Sequence, residues 1–277
     1  MIMRAALLQM TTGIDPQTNL AGIVQAMQDA KAAKAEMLFT PEMSGYLDRD
    51  RGRAAERVVA EEQDIVLAGV RQQARDLGLW VSLGSLAVRD PASPGKSRNR
   101  AFVIDDRGEV RARYDKMHLF DVDLPTGESW RESNSYVAGD GAVIADTPWG
   151  PLGLSICYDL RFPDLYRTLS DNGATLFAIP AAFTVPTGEA HWHVLMRARA
   201  IEAGAYVIAA AQTGVHEDGR ATYGHSLVVD PWGEVLLDMG TDAGLAVIDL
   251  DLGRVAAVRA RIPALDHRRA NPDLTRA

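Results

Sequence analysis

Short apolar runs recur along the whole chain, and most of them are bounded by Gly, Pro, Asn or Asp. Runs of this length with turn-forming residues at both ends are typical of buried β-strands. They predict strands over residues 4–10, 37–40, 79–83, 100–104, 110–114, 152–156, 176–179, 206–210, 226–229, 235–237 and 245–248. The polar turn at 105–108 separates two of these runs and predicts a hairpin.

Amphipathic segments lie between the apolar runs. In the clearest of them, 61–77, apolar residues recur every three or four positions, and Gly78 follows as a helix terminator. Similar patterns predict helices over 16–35, 162–171 and 189–203. The segment 89–98 contains Pro, Gly and Ser and predicts a mobile loop. The segment 119–150 is long and lacks periodicity, which inside a compact domain indicates a functional loop.

This set of elements limits the fold. Many strands with about four long helices exclude a barrel of eight equal βα units. Two mixed sheets packed face to face, with helices covering both outer faces, use the elements better and predict an α/β fold. We expect a single domain over residues 1–277, with a core over about 3–252 and a C-terminal helix and tail over 253–277.

Composition narrows the class of protein. The chain has 277 residues, of which 47% are hydrophobic and 24% charged, as in an ordinary globular enzyme. Its net charge of −8 and its lack of a basic stripe argue against nucleic-acid binding. No segment approaches the roughly 20 apolar residues of a membrane span, and residues 1–9 are expected to form a strand rather than a signal peptide. A single cysteine fits a reducing compartment, so we expect a cytoplasmic protein.

Three reactive side chains follow predicted strands. The only cysteine, Cys157, ends an apolar run and precedes a polar turn, which predicts a thiol presented at a strand-to-helix turn. By residue type alone, a lone cysteine is more often a small buried hydrophobe. Glu42 and Lys116 each follow another predicted strand, and without further context each would be a solvated surface charge. Their complementary chemistry predicts that the three residues form one site.

The residues around these side chains carry a family resemblance. P-E-M at 41–43, Y-D-K-M-H-L at 114–119 and C-Y-D-L-R-F-P at 157–163 resemble the Glu, Lys and Cys signatures of the nitrilase superfamily of carbon–nitrogen hydrolases. The motifs occur in the family's order, and the resemblance runs from about residue 3 to about residue 252. Downstream, H-W at 191–192, Y-G-H-S at 223–226 and D-P-W-G at 230–233 are similar to the Nit branch. The resemblance implies a four-layer α-β-β-α sandwich, usually as a homodimer.

We expect the dimer contact at the helix after Cys157 and at the helix 189–203, because the small residues Ala190, Ala198, Ala200 and Ala203 would allow close approach of a second copy. The alternative is that these alanines pack against the chain's own sheet.

The resemblance also implies catalytic roles. Cys157 would be the nucleophile, Glu42 the base, and Lys116 with the backbone N–H of Tyr158 the donors to an oxyanion. Screening from water is expected to raise the pKa of Glu42. Glu132 would hydrogen-bond Lys116, hold the substrate amide or position the hydrolytic water.

Some residue roles remain open at this point. Glu128 could take the place of Glu132, and a pair between Cys157 and one of the downstream histidines is formally possible. Arg161 could bind a substrate carboxylate or tie down the turn after the thiol. Phe183 and Thr187 occupy positions that contact substrate in the Nit branch.

Metal and cofactor motifs are missing from the sequence. His191 and His193 are two residues apart and would lie on different sides of a helix, and there is no H-E-x-x-H or C-x-x-C motif. No glycine-rich nucleotide-binding loop occurs either. We therefore expect a reaction without metal or cofactor.

The resemblance is stronger to the deaminated glutathione amidases than to the omega-amidases. It implies cleavage of a small anionic amide into 2-oxoglutarate and cysteinylglycine. Because the chain is acidic overall, its pocket would have to be locally positive. The competing hypotheses are an omega-amidase acting on 2-oxoglutaramate or 2-oxosuccinamate, an N-carbamoyl-amino-acid hydrolase, and a catalytically silent binding or scaffold protein.

Overall fold

The computed structural model describes residues 1–123, 127 and 129–269. Its strands are β1 (Ile2–Gln9), β2 (Met37–Phe39), β3 (Trp80–Arg89), β4 (Ser97–Ile104), β5 (Val110–Asp115), β6 (Asp121–Asp123), β7 (Ser129–Arg131), β8 (Val143–Thr147), β9 (Gly150–Leu154), β10 (Leu176–Ala178), β11 (Tyr206–Ala209), β12 (Thr213–Val215), β13 (Ala221–Tyr223), β14 (Leu227–Val229), β15 (Val235–Asp238) and β16 (Gly244–Asp251). Its helices are α1 (Pro16–Ala32), α2 (Arg51–Arg57), α3 (Ile65–Leu77), α4 (Pro163–Asp171), α5 (Val185–Ala203) and α6 (Gly253–Arg261).

Most strands belong to two mixed six-stranded sheets, with the orders β16-β1-β2-β3-β4-β5 and β15-β14-β11-β10-β9-β8. In the first sheet β1, β2 and β3 are parallel to one another, and in the second β9, β10 and β11 are parallel. The outer strands join antiparallel. The candidate site is carried by the loops after the parallel strands β2 and β9 and after β5, the antiparallel edge strand of the first sheet.

Alternation along β1 explains how the layers stack. Leu7 belongs to a core shared with Leu154 and Val207 of the second sheet, whereas Leu8 packs in a separate core with Ile23 of α1 and the apolar side of α3. Successive side chains of a strand point to opposite faces, so an apolar run buries both faces of this sheet. On the far side of the second sheet, α4 and α5 pack into its core. The predicted four-layer α-β-β-α sandwich is confirmed.

Some predicted boundaries are wrong, and local interactions explain why. Strand pairing continues through Val88 with Arg98, so the predicted mobile loop at 89–98 is reduced to the turn at 90–96. Helix α3 begins after Asp64, whose carboxylate accepts a hydrogen bond from the Leu67 N–H at 2.8 Å, rather than at residue 61. Helix α5 begins earlier than predicted, with Pro186 in its first turn, where a missing N–H costs nothing.

Candidate active site

The loops after β2, β5 and β9 bring Glu42, Lys116 and Cys157 together, as predicted. The Lys116 Nζ lies 3.0 Å from Glu42 Oε1 and 2.9 Å from Glu132 Oε2. The Cys157 side chain lies beside the Glu42 carboxylate in the same cavity. Glu42, Lys116 and Cys157 are 4%, 2% and 8% exposed, and all four side chains line one cavity of about 910 Å³. The cluster is therefore buried from bulk water but open to a ligand.

Both carboxylate oxygens of Glu42 are held by donors from distant parts of the chain. The backbone N–H of Ala182 donates to Oε2 at 2.9 Å, and Asn99 Nδ2 donates to Oε1 at 2.8 Å. The Gln212 side chain donates to the Glu42 backbone carbonyl at 2.9 Å. These contacts fix the carboxylate in one orientation next to the thiol.

The loop that carries Glu42 is locked onto β3. Met43, which has a left-handed φ of 57°, donates its N–H to the Ser85 hydroxyl at 2.9 Å. A side chain at Gly84 would place its Cβ 2.1 Å from the Thr40 carbonyl oxygen and 2.5 Å from that of Pro41. Only glycine allows β3 to approach the loop this closely. The close approach fixes Thr40 and Pro41, and with them the position of Glu42, which follows Pro41 in the chain.

The turn that presents Cys157 is strained and internally braced. Cys157 has a φ of 50°, and its N–H donates to the Pro180 carbonyl at 2.9 Å. Asp159 is fully buried and accepts from the Ile156 N–H at 2.8 Å and the Tyr114 hydroxyl at 2.7 Å. Positive φ at a non-glycine residue is uncommon and clusters at functional sites. Cys157 therefore lies at a strained turn of the kind in which functional residues are concentrated.

Sequence reasoning missed Asn99. Its Nδ2 donates both to Glu42 and, at 3.3 Å, to Glu132, so this side chain bridges the two glutamates that also hold Lys116. Its Oδ1 is buried without a hydrogen-bond partner among the described residues. The available signal was a polar side chain at an inward position of β4, next to an otherwise apolar run.

The prediction that Glu42 has a raised pKa is wrong. Burial alone raises the pKa of this carboxyl, but the charge of Lys116 and the hydrogen bonds from Cys157 and Asn99 outweigh it and lower the pKa. For Lys116, burial lowers the pKa, while Glu132 and Glu42 raise it and prevail. Glu42 is therefore a carboxylate and Lys116 an ammonium at neutral pH.

The thiol is held in its protonated form. Burial raises the pKa of Cys157, and the negative charge of Glu42 raises it further, against the opposing effect of Lys116. The reactive nucleophile is the thiolate, so the proton must leave as the sulfur attacks. A carboxylate beside a thiol is a group that can take such a proton as a general base.

The remaining predicted site residues divide into two groups. Tyr158, Phe183 and Thr187 line the cavity, but Arg161 is not among the described lining residues. The Arg161 guanidinium lies 5.5 Å from the Phe183 ring centroid and 3.3 Å from His191 Nδ1. Among the described residues, the Arg161 guanidinium hydrogen-bonds neither a backbone carbonyl nor a carboxylate, and its role in substrate binding or in supporting the turn stays a prediction.

The downstream histidines do not contact the thiol. Within 1–123, 127 and 129–269, His191 contacts Arg161, and both His193 and His225 contact Asp238. His216 contacts the Thr12 carbonyl and the Thr222 hydroxyl. A pair between Cys157 and one of these histidines is therefore not formed. Glu128, which the sequence offered in place of Glu132, lies outside the described residues.

Comparison with known proteins points to the same chemistry. The carbon–nitrogen hydrolase family model matches residues 4–260. A deaminated glutathione amidase of Yersinia enterocolitica is 37% identical over 265 residues, covering 95% of this chain and 92% of the relative. The nitrilase and fragile histidine triad fusion protein NitFhit of Caenorhabditis elegans is 39% identical, and the match covers 96% of this chain but 60% of that protein.

Solved structures agree with the sequence matches. The crystal structure of Caenorhabditis elegans NitFhit superposes with a TM-score of 0.89 at 38% identity, covering 97% of this chain and 65% of that one. A variant of the amidase from Nesterenkonia sp. AN1 superposes with a TM-score of 0.78 at 30% identity, covering 96% and 95% of the chains. In that structure the acetamide moiety of fluoroacetamide is covalently added at the active-site cysteine.

Among the helices of the described residues, none combines the length and apolar character that crossing a bilayer requires.

Proposed function

The chain belongs to the carbon–nitrogen hydrolase family, and from that premise we propose that it hydrolyses the amide bond of deaminated glutathione, releasing 2-oxoglutarate and cysteinylglycine. The observation that carries the proposal is the buried hydrogen-bonded cluster of Glu42, Lys116, Glu132 and Cys157 at one wall of a large cavity. Relatives at 37–40% identity that bear the name deaminated glutathione amidase support the choice of substrate.

The proposed reaction begins with attack on the amide. The Cys157 sulfur bonds to the amide carbon while its proton passes to Glu42, and the carbonyl oxygen becomes an oxyanion. The Lys116 ammonium and the Tyr158 N–H stabilise that charge, because both are fixed donors in a site with little water. Collapse of the tetrahedral intermediate breaks the C–N bond, and Glu42 returns its proton to the leaving amine.

Hydrolysis of the thioester completes the cycle. Glu42, again a carboxylate, takes a proton from water as the water oxygen attacks the thioester carbon. The second oxyanion is stabilised by the same two donors, and the thiol leaves with the proton that Glu42 accepted. Glu132 supports both halves by holding Lys116 charged and in place.

Charge in the cavity supports an anionic substrate. Among the described residues, seven basic and three acidic side chains line the cavity, although the whole chain has a net charge of −8. Arg49 and Arg220 lie over the Trp130 ring at 4.8 and 5.2 Å, which orients both guanidinium groups beside the cavity.

The size of the cavity supports a large substrate. Its volume of about 910 Å³ is at the upper end for small-molecule sites, which favours a substrate with a dipeptide-sized leaving group over a five-carbon acid that loses ammonia.

Kinetic comparison tests the proposal. We expect kcat/KM for deaminated glutathione to exceed that for 2-oxoglutaramate and for N-carbamoyl-amino acids, since this ratio reports differential binding of the transition states. Cys157→Ala is the matched control and should show no turnover with any of them. A higher kcat/KM for 2-oxoglutaramate would identify an omega-amidase, and absence of turnover in the unmodified protein would support a silent binding protein.

We also propose that the protein forms a homodimer through α5. Val194 and Ile201, seven residues apart on this helix, are 68% and 52% exposed, so they form an apolar face at the surface of the single chain. Ala200 and Ala203, expected from the sequence to contact a second copy, are buried in the chain's own core instead. Light scattering should give a dimer mass, and Val194→Glu should reduce it to that of a monomer.

A cytoplasmic location completes the proposal. The supporting observation is the single cysteine, which must remain a thiol for the reaction and is protected from oxidation in a reducing compartment. Fractionation of the source cells, with antibody detection of the protein, should recover it with cytoplasmic markers. Recovery with a secreted or membrane fraction would contradict this part of the proposal.

A further inference from the structure

Three metal-ligating side chains converge away from the catalytic cluster. His193 lies on α5, His225 lies in the turn before β14, and Asp238 ends β15. One ligand atom from each residue lies within 4.8 Å of the other two. All three side chains are partly exposed, at 34%, 23% and 33%, so an ion from solvent can reach them.

The spacing suits a small tetrahedral ion. Asp238 Oδ2 is 2.9 Å from His193 Nε2, and Asp238 Oδ1 is 2.8 Å from His225 Nδ1. For bonds of about 2.1 Å, tetrahedral ligand atoms are about 3.4 Å apart. These two separations are shorter than that value, and all three atoms lie within 4.8 Å of one another, so small rotations of the side chains would bring them to bonding distance. Two imidazoles and a carboxylate suit zinc and leave one position for water.

Hydrogen bonds and ring stacking hold His225 and Asp238 in place. His225 has a left-handed φ of 55°, and its carbonyl accepts a hydrogen bond from Trp192 Nε1 at 2.8 Å. The Tyr223 ring stacks on the His225 ring at a centroid distance of 4.4 Å. Asp238 also accepts from the Gly240 N–H at 2.9 Å. Fixed ligands lower the cost of ordering a site when the ion binds.

We propose that His193, His225 and Asp238 form a binding site for a divalent transition metal, with zinc as the occupant. On binding, the ion would take the place of the hydrogens between the two imidazoles and the carboxylate, and each neutral imidazole would carry its proton on its other ring nitrogen. It would tie α5 to β15 and to the turn before β14, and so stabilise the fold. The site is separate from the proposed amide hydrolysis, to which it contributes no side chain.

The experiment uses Cys157→Ala protein, so that the catalytic thiol cannot bind zinc and no turnover is required. Calorimetric titration with zinc chloride should give one ion per chain, and zinc should raise the melting temperature. His193→Gln and Asp238→Asn, each in the Cys157→Ala protein, should weaken binding roughly tenfold or more. His191→Gln, on the same helix but outside the cluster, is the matched control and should bind zinc as tightly as its parent.

The visible absorption of bound cobalt(II) tests which side chains bind the metal. Cobalt(II) bound in a tetrahedral site should develop visible absorption in the parent and in His191→Gln, and this absorption should be lost in His193→Gln. Circular dichroism of each variant confirms that it is folded. Two results would overturn the proposal: no zinc binding to folded parent protein, which leaves only a hydrogen-bonded His–Asp–His cluster, or equal zinc affinity in parent, His193→Gln and Asp238→Asn.

Discussion

The thiol of Cys157 and the carboxylate of Glu42 lie side by side, and each changes the acidity of the other. Glu42 raises the pKa of the thiol, and the hydrogen bond from the thiol lowers the pKa of Glu42. Lys116 stabilises the carboxylate by direct contact, with its Nζ 3.0 Å from Glu42 Oε1. The resting nucleophile is therefore a neutral thiol that reacts only when its proton is removed.

Removing the charge at position 42 should make the Cys157 thiol more acidic and, at the same time, slow the hydrolysis of the amide. In Glu42→Gln, the pKa of Cys157 should fall because the neighbouring negative charge is lost, and each unit of decrease gives about tenfold more thiolate. We expect iodoacetamide to label this variant several-fold faster than the parent at pH 8, while amide turnover falls by roughly 10² or more. Slower labelling of the variant would contradict the charge effect that we assign to Glu42.

Asn99 offers a test of how Glu42 is held. In Asn99→Ala, Glu42 loses a hydrogen bond that stabilises its charged form, so its pKa should rise. The acid limb of kcat/KM should move to higher pH, and the plateau should fall roughly tenfold. Asn172→Ala, an exposed position at the end of α4, is the control and should keep the parent profile. An unshifted acid limb in Asn99→Ala would show that this hydrogen bond does not control the base.

At the scale of the elements, eleven of the sixteen strands in the described residues were predictable, because short apolar runs bounded by turn residues are typical of buried strands. The strands β6, β7, β8, β12 and β13 were not predicted, and the first three of them lie in the segment 119–150 that was expected to be a loop. Helix α2 was not predictable, since none of its residues is buried and no periodic pattern results. The second half of β3 was missed because Gly84 and Ser85 interrupt the apolar run, whereas pairing with β4 continues to Arg89 across an irregularity between Leu83 and Leu86. Local sequence thus located most of the elements, and long-range pairing determined their lengths.

The contact between β3 and the Glu42 loop gives a prediction about one glycine. In Gly84→Ala, the new Cβ would meet two backbone carbonyls, so the loop must move and the thiol loses its base. We expect a loss of several °C in melting temperature and a fall in kcat of about 10² or more, as for misplaced catalytic groups. Gly22→Ala in α1 has open space around the new methyl and should be stabilising by about 0.5–1 kcal/mol. Unchanged kcat in Gly84→Ala would contradict the role of the close approach.

At the scale of the whole molecule, the catalytic cluster draws on segments far apart in the chain. Glu42 is held by Asn99, Ala182 and Gln212, which come from three separate segments of the chain. The motifs around Glu42, Lys116 and Cys157 could be recognised from the sequence because each is a contiguous string. The supporting residues could not, since their roles exist only once the two sheets have packed.

Packing between distant segments also gives the stability a pH dependence. His216 is buried, with Nδ1 at 2.9 Å from the Thr12 carbonyl oxygen and Nε2 at 2.8 Å from the Thr222 hydroxyl, and burial lowers its pKa below 6.5. The unfolded chain binds this proton more readily than the folded one. The stabilising contribution is therefore complete above about pH 6.5 and is lost as the pH falls below that value.

Denaturant unfolding at several pH values tests this contribution. The free energy of unfolding of the parent should decrease between about pH 7 and pH 5, and His216→Asn should show a smaller decrease over the same interval. His267→Asn removes an exposed histidine and serves as the control, with the slope of the parent. Equal slopes in all three proteins would contradict the assignment to His216.

The left-handed backbone of Cys157 has a consequence for which nucleophiles this scaffold can evolve. At a φ of 50° a β-branched side chain crowds the backbone, so threonine is excluded on steric grounds before its chemistry is considered. Serine fits the turn, but its hydroxyl would have to be activated by the same weakly basic carboxylate. Evolutionary exchange of the nucleophile is therefore confined to unbranched side chains, and among these a thiol is the group whose proton Glu42 can most easily remove.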